Sequence, residues 1–279
     1  MALQRATRKQ VKMRLNLSAP SGAGKTMSAL LMAYGLIGDW SKIAVIDTEN
    51  GSASLYSDLG EFNTIDLQAP YTPERYINAL DECIKGGMEC VIIDSSSHEW
   101  SGKGGCIELN ETLASAKYRG NTWSAWNETT PRHDAFVQRV LQAPVHIITC
   151  TRSKTETVMD EATKKVKKVG MKDIQREGWE YELTVSLNLD RDTHMATASK
   201  DRTGLFDKAD PFVITSETGK KIKAWCEQGA PVIATKPELL QSNEYFEAMK
   251  KALKSKERTM AQLEEKWTIS PEIKALLLA

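Results

Sequence analysis

The sequence lacks the features that mark membrane and secreted proteins. It has no apolar N-terminal segment after its basic start, and no apolar run of the ~18 residues that a membrane-spanning helix requires. Its five cysteines are odd in number and show no Cys-x-x-Cys spacing, which predicts buried, reduced thiols. We therefore expect a cytoplasmic protein that has no membrane among its partners.

The chain also lacks an excess of charge of either sign. Lys and Arg number 37 and Asp and Glu number 37, so the overall charge does not predict nucleic-acid binding. Two regions are locally basic: residues 1–14 carry five bases and no acid, and residues 152–172 carry seven bases and three acids. A solvated face has the same charge pattern, so charge alone leaves nucleic-acid binding open in both regions.

Sequence patterns for metal or covalent chemistry are missing as well. The four histidines have no metal-ligand spacing to a cysteine pair, so the sequence predicts no zinc site. No Gly-x-Ser-x-Gly segment or Cys/His arrangement predicts a covalent nucleophile. Any catalytic chemistry must therefore come from another kind of motif.

That motif lies between an apolar run at 13–17 and a helical run at 27–36. Backbone N–H groups of a small-residue turn in this context converge on phosphate oxygens at a helix N-terminus. Lys25 is expected to reach the β- and γ-phosphates, and Thr26 to hold Mg²⁺. Ala19 replaces the usual first glycine, which requires φ < 0 or tolerated strain. The predicted nucleotide-binding residues are Ala19, Pro20, Ser21, Gly22, Ala23, Gly24, Lys25, Thr26 and Met27.

The chain around this turn predicts an α/β fold. Short β-branched runs at 13–17, 42–47, 64–67, 90–94 and 146–151 alternate with helical segments such as 73–85 and 133–142. This alternation is typical of a parallel sheet. A polar turn at 190–193 predicts an antiparallel hairpin that extends the sheet. We expect a mostly parallel core over residues 1–229, followed by a small helical unit over 230–279.

Two acids follow predicted strands at the edge where ligands bind. Asp94 ends the apolar run 90–93, about 70 residues after the phosphate-binding turn. In that position it would hold Mg²⁺ through a water molecule, beside Thr26. Glu49 follows the strand 43–47, at the carboxyl edge of the same sheet. The sequence therefore predicts a nucleotide site with a metal ligand and a candidate catalytic acid.

The order and spacing of these motifs resemble the RecA-like ATPases, and within them the compact phage-encoded group associated with single-strand annealing and recombination. The resemblance covers roughly residues 11–225 and includes segments 19–26, 46–49, 94–100, 130–133, 151–154 and 200–202. It implies a RecA-like P-loop NTPase fold, with ATP and Mg²⁺ as cofactors. For a phage-encoded protein, the compartment would be the host cytoplasm.

The resemblance also implies roles at the ATP site. Glu49 would polarise the water that attacks the γ-phosphate. Glu99 is a competing candidate because it also follows a strand end and is close in sequence to Asp94. Thr149 or Thr151 would sense the γ-phosphate at the end of a central strand.

Lys200 and Arg202 are spaced so that both side chains lie on one face of a strand. The resemblance implies that they cross a subunit interface and contact the neighbour's γ-phosphate, which would make turnover depend on a homo-oligomer, either a ring or a filament. The alternative is a pair of solvated bases on an edge strand.

Two long loops, 97–132 and 153–179, are expected at the same edge of the sheet. Aromatic residues with glycines and bases suit stacking on unpaired bases, and a cationic hairpin suits a phosphate track. The resemblance implies that these loops bind single-stranded DNA. Alternatively, the tryptophans pack on the core and the lysines are solvated. The candidate DNA-binding residues are Trp100, Arg119, Lys164, Lys165, Lys167, Lys168 and Arg176.

The sequence hypothesis is a DNA-stimulated ATPase that binds single-stranded DNA, assembles with copies of itself and promotes annealing or strand pairing in recombination and repair. A single-strand binding protein is a possible further partner. One alternative is a nucleotide-gated accessory scaffold for replication or packaging. The other is a small-molecule kinase, which the aromatic and basic insertions fit poorly.

Overall fold

The computed structural model describes residues 5–159, 166–231, 239–241, 245–255, 257–267 and 269–278; the side chains of 155–159, 166–170 and 265 are outside this description. The chain divides into two compact units, Met1–Gly229 and Ala230–Ala279. Among the described residues, no helix is long and apolar enough to cross a membrane.

The first unit is organised around one sheet. Its strands are β1 Arg14–Ala19, β2 Ile43–Asp47, β3 Asn63–Asp66, β4 Cys90–Asp94, β5 His146–Met159, β6 Val166–Asp173, β7 Val185–Leu189, β8 Met195–Asp201 and β9 Phe212–Val213. Their order is β3-β2-β4-β5-β1-β7-β8-β9, and β6 pairs with β5 outside that row. Pairs from β3 to β7 are parallel, whereas β8 and β9 are antiparallel additions. The predicted mostly parallel sheet with an antiparallel extension is confirmed.

Helices cover both faces of this sheet. In the first unit they are α1 Lys25–Ile37, α2 Pro73–Lys85, α3 Ser97–Ser101, α4 Cys106–Lys117, α5 Thr122–Gln142, α6 Trp179–Glu182 and α7 Ser216–Cys226, with 3-10 helices at Trp40–Lys42 and Ser52–Leu59. Side-chain alternation in β4 sends Ile92 into the core with α1 and α7, and Ile93 into the core with α2 and α5. Burial on both faces explains the continuous apolar strands.

The second unit is helical. It contains α8 Phe246–Lys254, α9 Met260–Lys266 and α10 Pro271–Leu278. Apolar side chains from these helices and the segment before them form its own small core, made of Leu239, Phe246, Leu263 and Leu277.

The segment 97–132, which the sequence predicted to be a loop, is instead helical. It forms α3, α4 and most of α5, although Pro131 lies inside α5. The buried stripe of α5 includes the polar Thr129 and His133. These polar residues interrupt the apolar periodicity by which a helix is recognised in sequence.

The second expected loop, 153–179, begins as a β-hairpin. Strand β5 continues beyond the predicted end at Thr151 to Met159 and pairs with β6 in antiparallel register. The register shifts between Glu156 and Thr157. Residues 160–165, which include Lys164 and Lys165, are outside the described residues.

Candidate nucleotide-binding site

The predicted phosphate-binding turn joins β1 to α1 at the carboxyl edge of the sheet. Gly22 and Gly24 have φ values of 82° and 83°, in the left-handed region that suits residues without a Cβ. Within the described structure, no side chain caps α1 and its first turn contains no acid, so its N–H groups can face an anion. Ala19 ends the extended strand β1, where alanine needs no left-handed φ.

Lys25 begins α1, and its side chain is buried beneath the turn. Its Nζ donates hydrogen bonds to the carbonyl oxygens of Ala19 and Pro20, each at 3.0 Å. A phosphate would offer the ammonium a charged acceptor in place of these two neutral ones, and charge-assisted bonds are the stronger kind. Met27 lies half-buried in the first turn of the same helix.

Thr26 and Asp94 lie side by side, as their predicted role requires. Thr26 Oγ1 donates to Asp94 Oδ2 at 2.6 Å. Burial, with smaller effects from Glu49 and Asp47, raises the pKa of Asp94 to about 6, although Thr26 and Lys25 act to lower it. A hydroxyl and a carboxylate are oxygen ligands that fit Mg²⁺, and a cation there would favour the ionised carboxylate. When bound, Mg²⁺ neutralises the charge that develops on transferring phosphates.

Hydrogen bonds at the end of β2 fix the position of Glu49. The buried carboxylate of Asp47 accepts the N–H of Glu49 at 2.6 Å. Next to it, the N–H of Thr48 donates to the Asp94 carbonyl, and the Thr48 hydroxyl accepts the N–H of Ser95, both at 2.8 Å. These bonds tie the ends of β2 and β4 together, so Glu49 and Asp94 line the same pocket.

Arg152 also lines the pocket, although no role was predicted for it from the sequence. Its Nε donates to Glu49 Oε1 at 2.9 Å, and its Nη2 donates to Glu49 Oε2. Ile148 and Cys150 of β5 pack in the core beside α1, and alternation puts residue 152 on that same face. Strand alternation past Thr151 was the sequence signal that could have identified it.

These elements together line one pocket at the sheet edge. The lining residues are Ser21, Gly22, Gly24, Lys25, Thr26, Glu49, Ser52, Tyr56, Asp94 and Arg152. The strand end at Asp94 and the turn at Glu49 therefore lie beside the phosphate-binding turn, as the sequence predicted.

Glu99, the competing candidate for the catalytic base, lies elsewhere. It is fully buried in α3, where its Oε1 accepts from Cys106 Sγ at 3.1 Å and lies 3.0 Å from His133 Nδ1. Of the two candidate bases, Glu49 lines the pocket and Glu99 does not. The geometry favours Glu49.

Thr149 and Thr151, the expected phosphate sensors, are on the face of β5 opposite α1. Thr149 Oγ1 donates to Asn16 Oδ1 at 2.9 Å, and Thr151 Oγ1 donates to Asp173 Oδ2 at 3.0 Å. Asp173 also accepts from the Ser18 hydroxyl, just before the phosphate-binding turn. Both threonines therefore belong to a polar network between β1, β5 and β6, and neither lines the pocket.

Lys200 and Arg202 contact their own chain. Lys200 Nζ donates to the carbonyl oxygens of Glu180, at 2.8 Å, and Tyr181. Arg202 Nη2 donates to the same Tyr181 oxygen at 2.9 Å. The two cations thus contact the carbonyl groups of α6, and neither lines the nucleotide pocket. Their predicted role across an interface stays a prediction.

The predicted DNA-binding residues are spread over the helices and the hairpin. Trp100 stacks on Trp126, with ring centroids 5.5 Å apart, whereas Trp123 is 85% exposed. Arg176 borders the cleft that these tryptophans line and pairs with Asp134 at 3.1 Å. The exposed Arg119, in the turn between α4 and α5, does not border this cleft, and Lys167 and Lys168 lie in β6 with side chains outside the description.

Comparison with known proteins identifies the family. No curated protein matches the sequence. The profile of a family described as "AAA domain" matches residues 11–221, which include the phosphate-binding turn, Glu49, Asp94 and Arg152. The matched region is more than half of the chain. The chain therefore belongs to the AAA domain family, and residues 11–221 form an AAA-type P-loop ATPase domain that binds nucleotide.

Proposed function

We propose that the protein is a RecA-like ATPase that binds single-stranded DNA, hydrolyses Mg²⁺-ATP between subunits of a homo-oligomer and promotes annealing or strand pairing. One observation carries the proposal: strand β5 runs directly from the nucleotide pocket into the basic hairpin. Arg152 lies in the pocket, and the next residue, Ser153, begins the pairing with β6. A change at the phosphates can therefore reach the hairpin through one continuous strand.

The pocket supplies the groups that phosphoryl transfer requires. Lys25 and the glycine turn bind the phosphates, while Thr26 and Asp94 would hold Mg²⁺. Glu49 would orient the attacking water, because it is the carboxylate that lines the pocket beside Asp94.

A cleft beside the hairpin has the shape and chemistry for unpaired bases. It has a volume of about 670 Å³ and is bordered by Trp100, Trp123, Trp126 and Arg176, among other residues. Aromatic faces stack on bases of any sequence, at roughly 1–3 kcal/mol per base. The hairpin sequence 152–172, with seven bases and three acids, would follow the phosphate backbone.

Hydrogen bonds to Asp173 link the base of the hairpin to the strand that leads into the phosphate-binding turn. Asp173 ends β6 and accepts hydrogen bonds from Thr151 in β5 and from Ser18 in β1. Asn16 Nδ2 adds a third bond at 3.2 Å. Movement of β1 at the phosphate-binding turn would therefore move the base of the hairpin.

Assembly would complete the site. In the proposed oligomer, Lys200 and Arg202 exchange their carbonyl partners on α6 for the γ-phosphate of a neighbouring subunit. A carbonyl oxygen is a neutral acceptor, so a phosphate is the more favourable partner for each cation. Loss of the γ-phosphate on hydrolysis would then weaken the assembly.

The test is the rate of ATP hydrolysis with and without single-stranded DNA, measured over a range of protein concentrations. Lys25→Ala is the control for contaminating ATPases. Stimulation by DNA together with a rate per subunit that rises steeply with concentration supports the proposal. An unstimulated, concentration-independent rate contradicts it and favours a nucleotide-gated scaffold. Phosphate transfer to a metabolite would instead indicate a kinase.

A further inference from the structure

Three metal-binding side chains meet in the interior formed by α3, α4 and α5. Glu99, Cys106 and His133 each offer one ligand atom, and these atoms lie within 4.8 Å of one another. Glu99 and Cys106 are 0% exposed and His133 is 3% exposed. The three residues are separate from the nucleotide pocket.

Local sequence explains how the three ligands come together. Gly105 precedes Cys106, and a Cβ at Gly105 would lie 2.6 Å from the His98 carbonyl oxygen and 2.7 Å from that of Glu99. Glycine therefore allows the start of α4 to approach α3 closely. His133 projects from the buried stripe of α5, and its ring packs edge-on against Trp100 with centroids 5.2 Å apart.

The distances in the cluster suit a small tetrahedral ion. Cys106 Sγ lies 3.1 Å and His133 Nδ1 lies 3.0 Å from Glu99 Oε1. Around Zn²⁺ bound at ordinary lengths, such ligand atoms are separated by roughly 3.3–3.6 Å. These two separations would therefore need to grow by only a few tenths of an ångström to match those around the ion.

The charges in the cluster also suit a divalent cation. A thiolate, a carboxylate and a neutral imidazole together carry two negative charges, which one divalent ion cancels. An uncompensated charge in such a buried position is costly.

We propose that Glu99, Cys106 and His133 bind one Zn²⁺ ion that links α3, α4 and α5. Binding replaces the S–H proton of Cys106, which leaves to solvent, with a Zn–S bond, and water occupies the fourth position. Thiolate and imidazole ligands select Zn²⁺ over Mg²⁺, so this site does not compete with the nucleotide site for its metal. Gln175 Nε2, 3.4 Å from Glu99 Oε2, would orient the carboxylate from outside the ligand set.

Sequence spacing could not predict this site, because its ligands come from three helices and include a single cysteine. The proposed ion would fix the relative positions of the helices that carry Trp100 and Trp126. The site depends neither on ATP hydrolysis nor on DNA binding, so it can be tested separately from the proposed function.

The first test is the metal content of the untagged full-length protein, purified without chelator or added metal. We expect about one zinc per chain by mass spectrometry. Cys106→Ser, which keeps the side-chain size but removes the thiolate, should lose the zinc. The matched control is Cys83→Ser, because Cys83 is also a buried free cysteine but lies in α2. Equal zinc content in the two variants would overturn the assignment of Cys106.

The second test uses chelator-treated wild-type protein, and it remains decisive if Cys106→Ser does not fold. Adding Zn²⁺ should raise Tm by several degrees, because the ion binds only the folded site. Adding Co²⁺ should give a thiolate-to-cobalt charge-transfer band in the near ultraviolet. Protein that is purified without zinc, and shows neither the Tm shift nor the band, would overturn the proposal and leave the cluster as a hydrogen-bonded part of the core.

Discussion

Arg152 and Glu49 form a two-point ion pair inside the nucleotide pocket. The planar guanidinium fork that pairs with this carboxylate matches a phosphate equally well. The γ-phosphate of ATP would therefore compete with Glu49 for Arg152. Release of Glu49 from the ion pair would free its carboxylate to orient the attacking water, which would link activation of the base to the presence of the γ-phosphate.

Arg152→Ala should lower kcat for ATP by roughly 10²–10³-fold, because the transition state loses a cation that stabilises phosphate charge. Arg152→Lys keeps the charge without the fork and should give an intermediate kcat. The control is Arg139→Ala, which removes an arginine paired with Asp81 between α2 and α5. Steady-state kinetics measures all three variants. An unchanged or higher kcat in Arg152→Ala would contradict the idea that the γ-phosphate replaces Glu49 as the partner of Arg152.

Lys25→Ala should abolish stabilisation by nucleotide. For the wild type, ATP and Mg²⁺ at ~100 times Kd should stabilise the fold by roughly 2.7 kcal/mol and raise Tm. Lys25→Ala loses the ammonium beneath the turn, so its Tm should not respond to nucleotide. Lys220→Ala, which removes an exposed lysine paired with Glu217, is the matched control and should keep the full shift. A nucleotide-induced shift of the same size in Lys25→Ala would contradict the assignment.

Arg202→Ala should reduce ATP turnover while leaving nucleotide binding by the monomer intact. The decisive measurement mixes this variant with Lys25→Ala, which should be inactive alone because it lacks the phosphate-binding lysine. In a mixed oligomer, an intact nucleotide site in one subunit can meet an intact Arg202 from the other. Recovery of ATPase activity on mixing would support catalysis across the interface. Two inactive proteins that stay inactive when mixed, or normal turnover by Arg202→Ala, would exclude it.

The parts of the fold that follow from local sequence were predicted well. The apolar run 90–94 became β4, and the segment from Pro73 to Lys85 became α2 with those bounds. In both cases burial and periodicity agree with local propensity. The contact of Thr26 with Asp94 was also predicted, because parallel strands bring their carboxyl ends to one edge.

The side-chain contacts that no sequence motif identifies were not predicted. The insertion from α3 to α5 is folded around polar pairs such as Thr129 with Asn110 and His133 with Glu99. Such pairs satisfy each other only after the chain has folded, so the sequence shows polar residues where a helix would show apolar ones. The Arg152–Glu49 pair was missed for a related reason, since 103 residues separate its members.

The buried side chain of His146 should make the protein less stable in acid. Its Nδ1 accepts the Met13 N–H at 3.0 Å. Burial, with smaller effects from Lys12, Arg14 and Lys223, lowers its pKa to about 3. Between this value and the ordinary value near 6.5, the unfolded state binds the proton and the folded state does not. The contribution of unprotonated His146 to the free energy of unfolding is therefore complete above about pH 6.5, and it is lost as the pH falls towards 3.

His146→Gln should flatten this dependence, because glutamine can accept the same N–H and does not titrate. We expect the free energy of unfolding of the wild type to fall by roughly 3 kcal/mol more than that of the variant between pH 7 and pH 4. Urea unfolding at several pH values measures the difference. The exposed His194, replaced by Gln, is the control, and parallel pH profiles for wild type and His146→Gln would contradict the prediction.

Trp123→Ala should weaken binding of single-stranded DNA. Trp123 is the exposed tryptophan of the cleft, whereas Trp100 and Trp126 already stack on each other. Loss of one stacked base costs roughly 1–3 kcal/mol, which corresponds to a Kd about 5- to 150-fold weaker. The dependence of Kd on salt should not change, because the substitution removes no phosphate contact. Fluorescence anisotropy with a labelled oligothymidine at several salt concentrations measures both quantities.

The control for this substitution is Tyr245→Ala, because Tyr245 is a 54% exposed aromatic residue outside the matched ATPase domain. It separates stacking in the cleft from a general loss of exposed aromatic surface.

A triple substitution of Lys165, Lys167 and Lys168 tests the hairpin, because loss of phosphate contacts should both weaken DNA binding and reduce the dependence of Kd on salt. An unchanged Kd in Trp123→Ala would exclude the cleft from the DNA path, and an unchanged slope in the triple variant would exclude the hairpin.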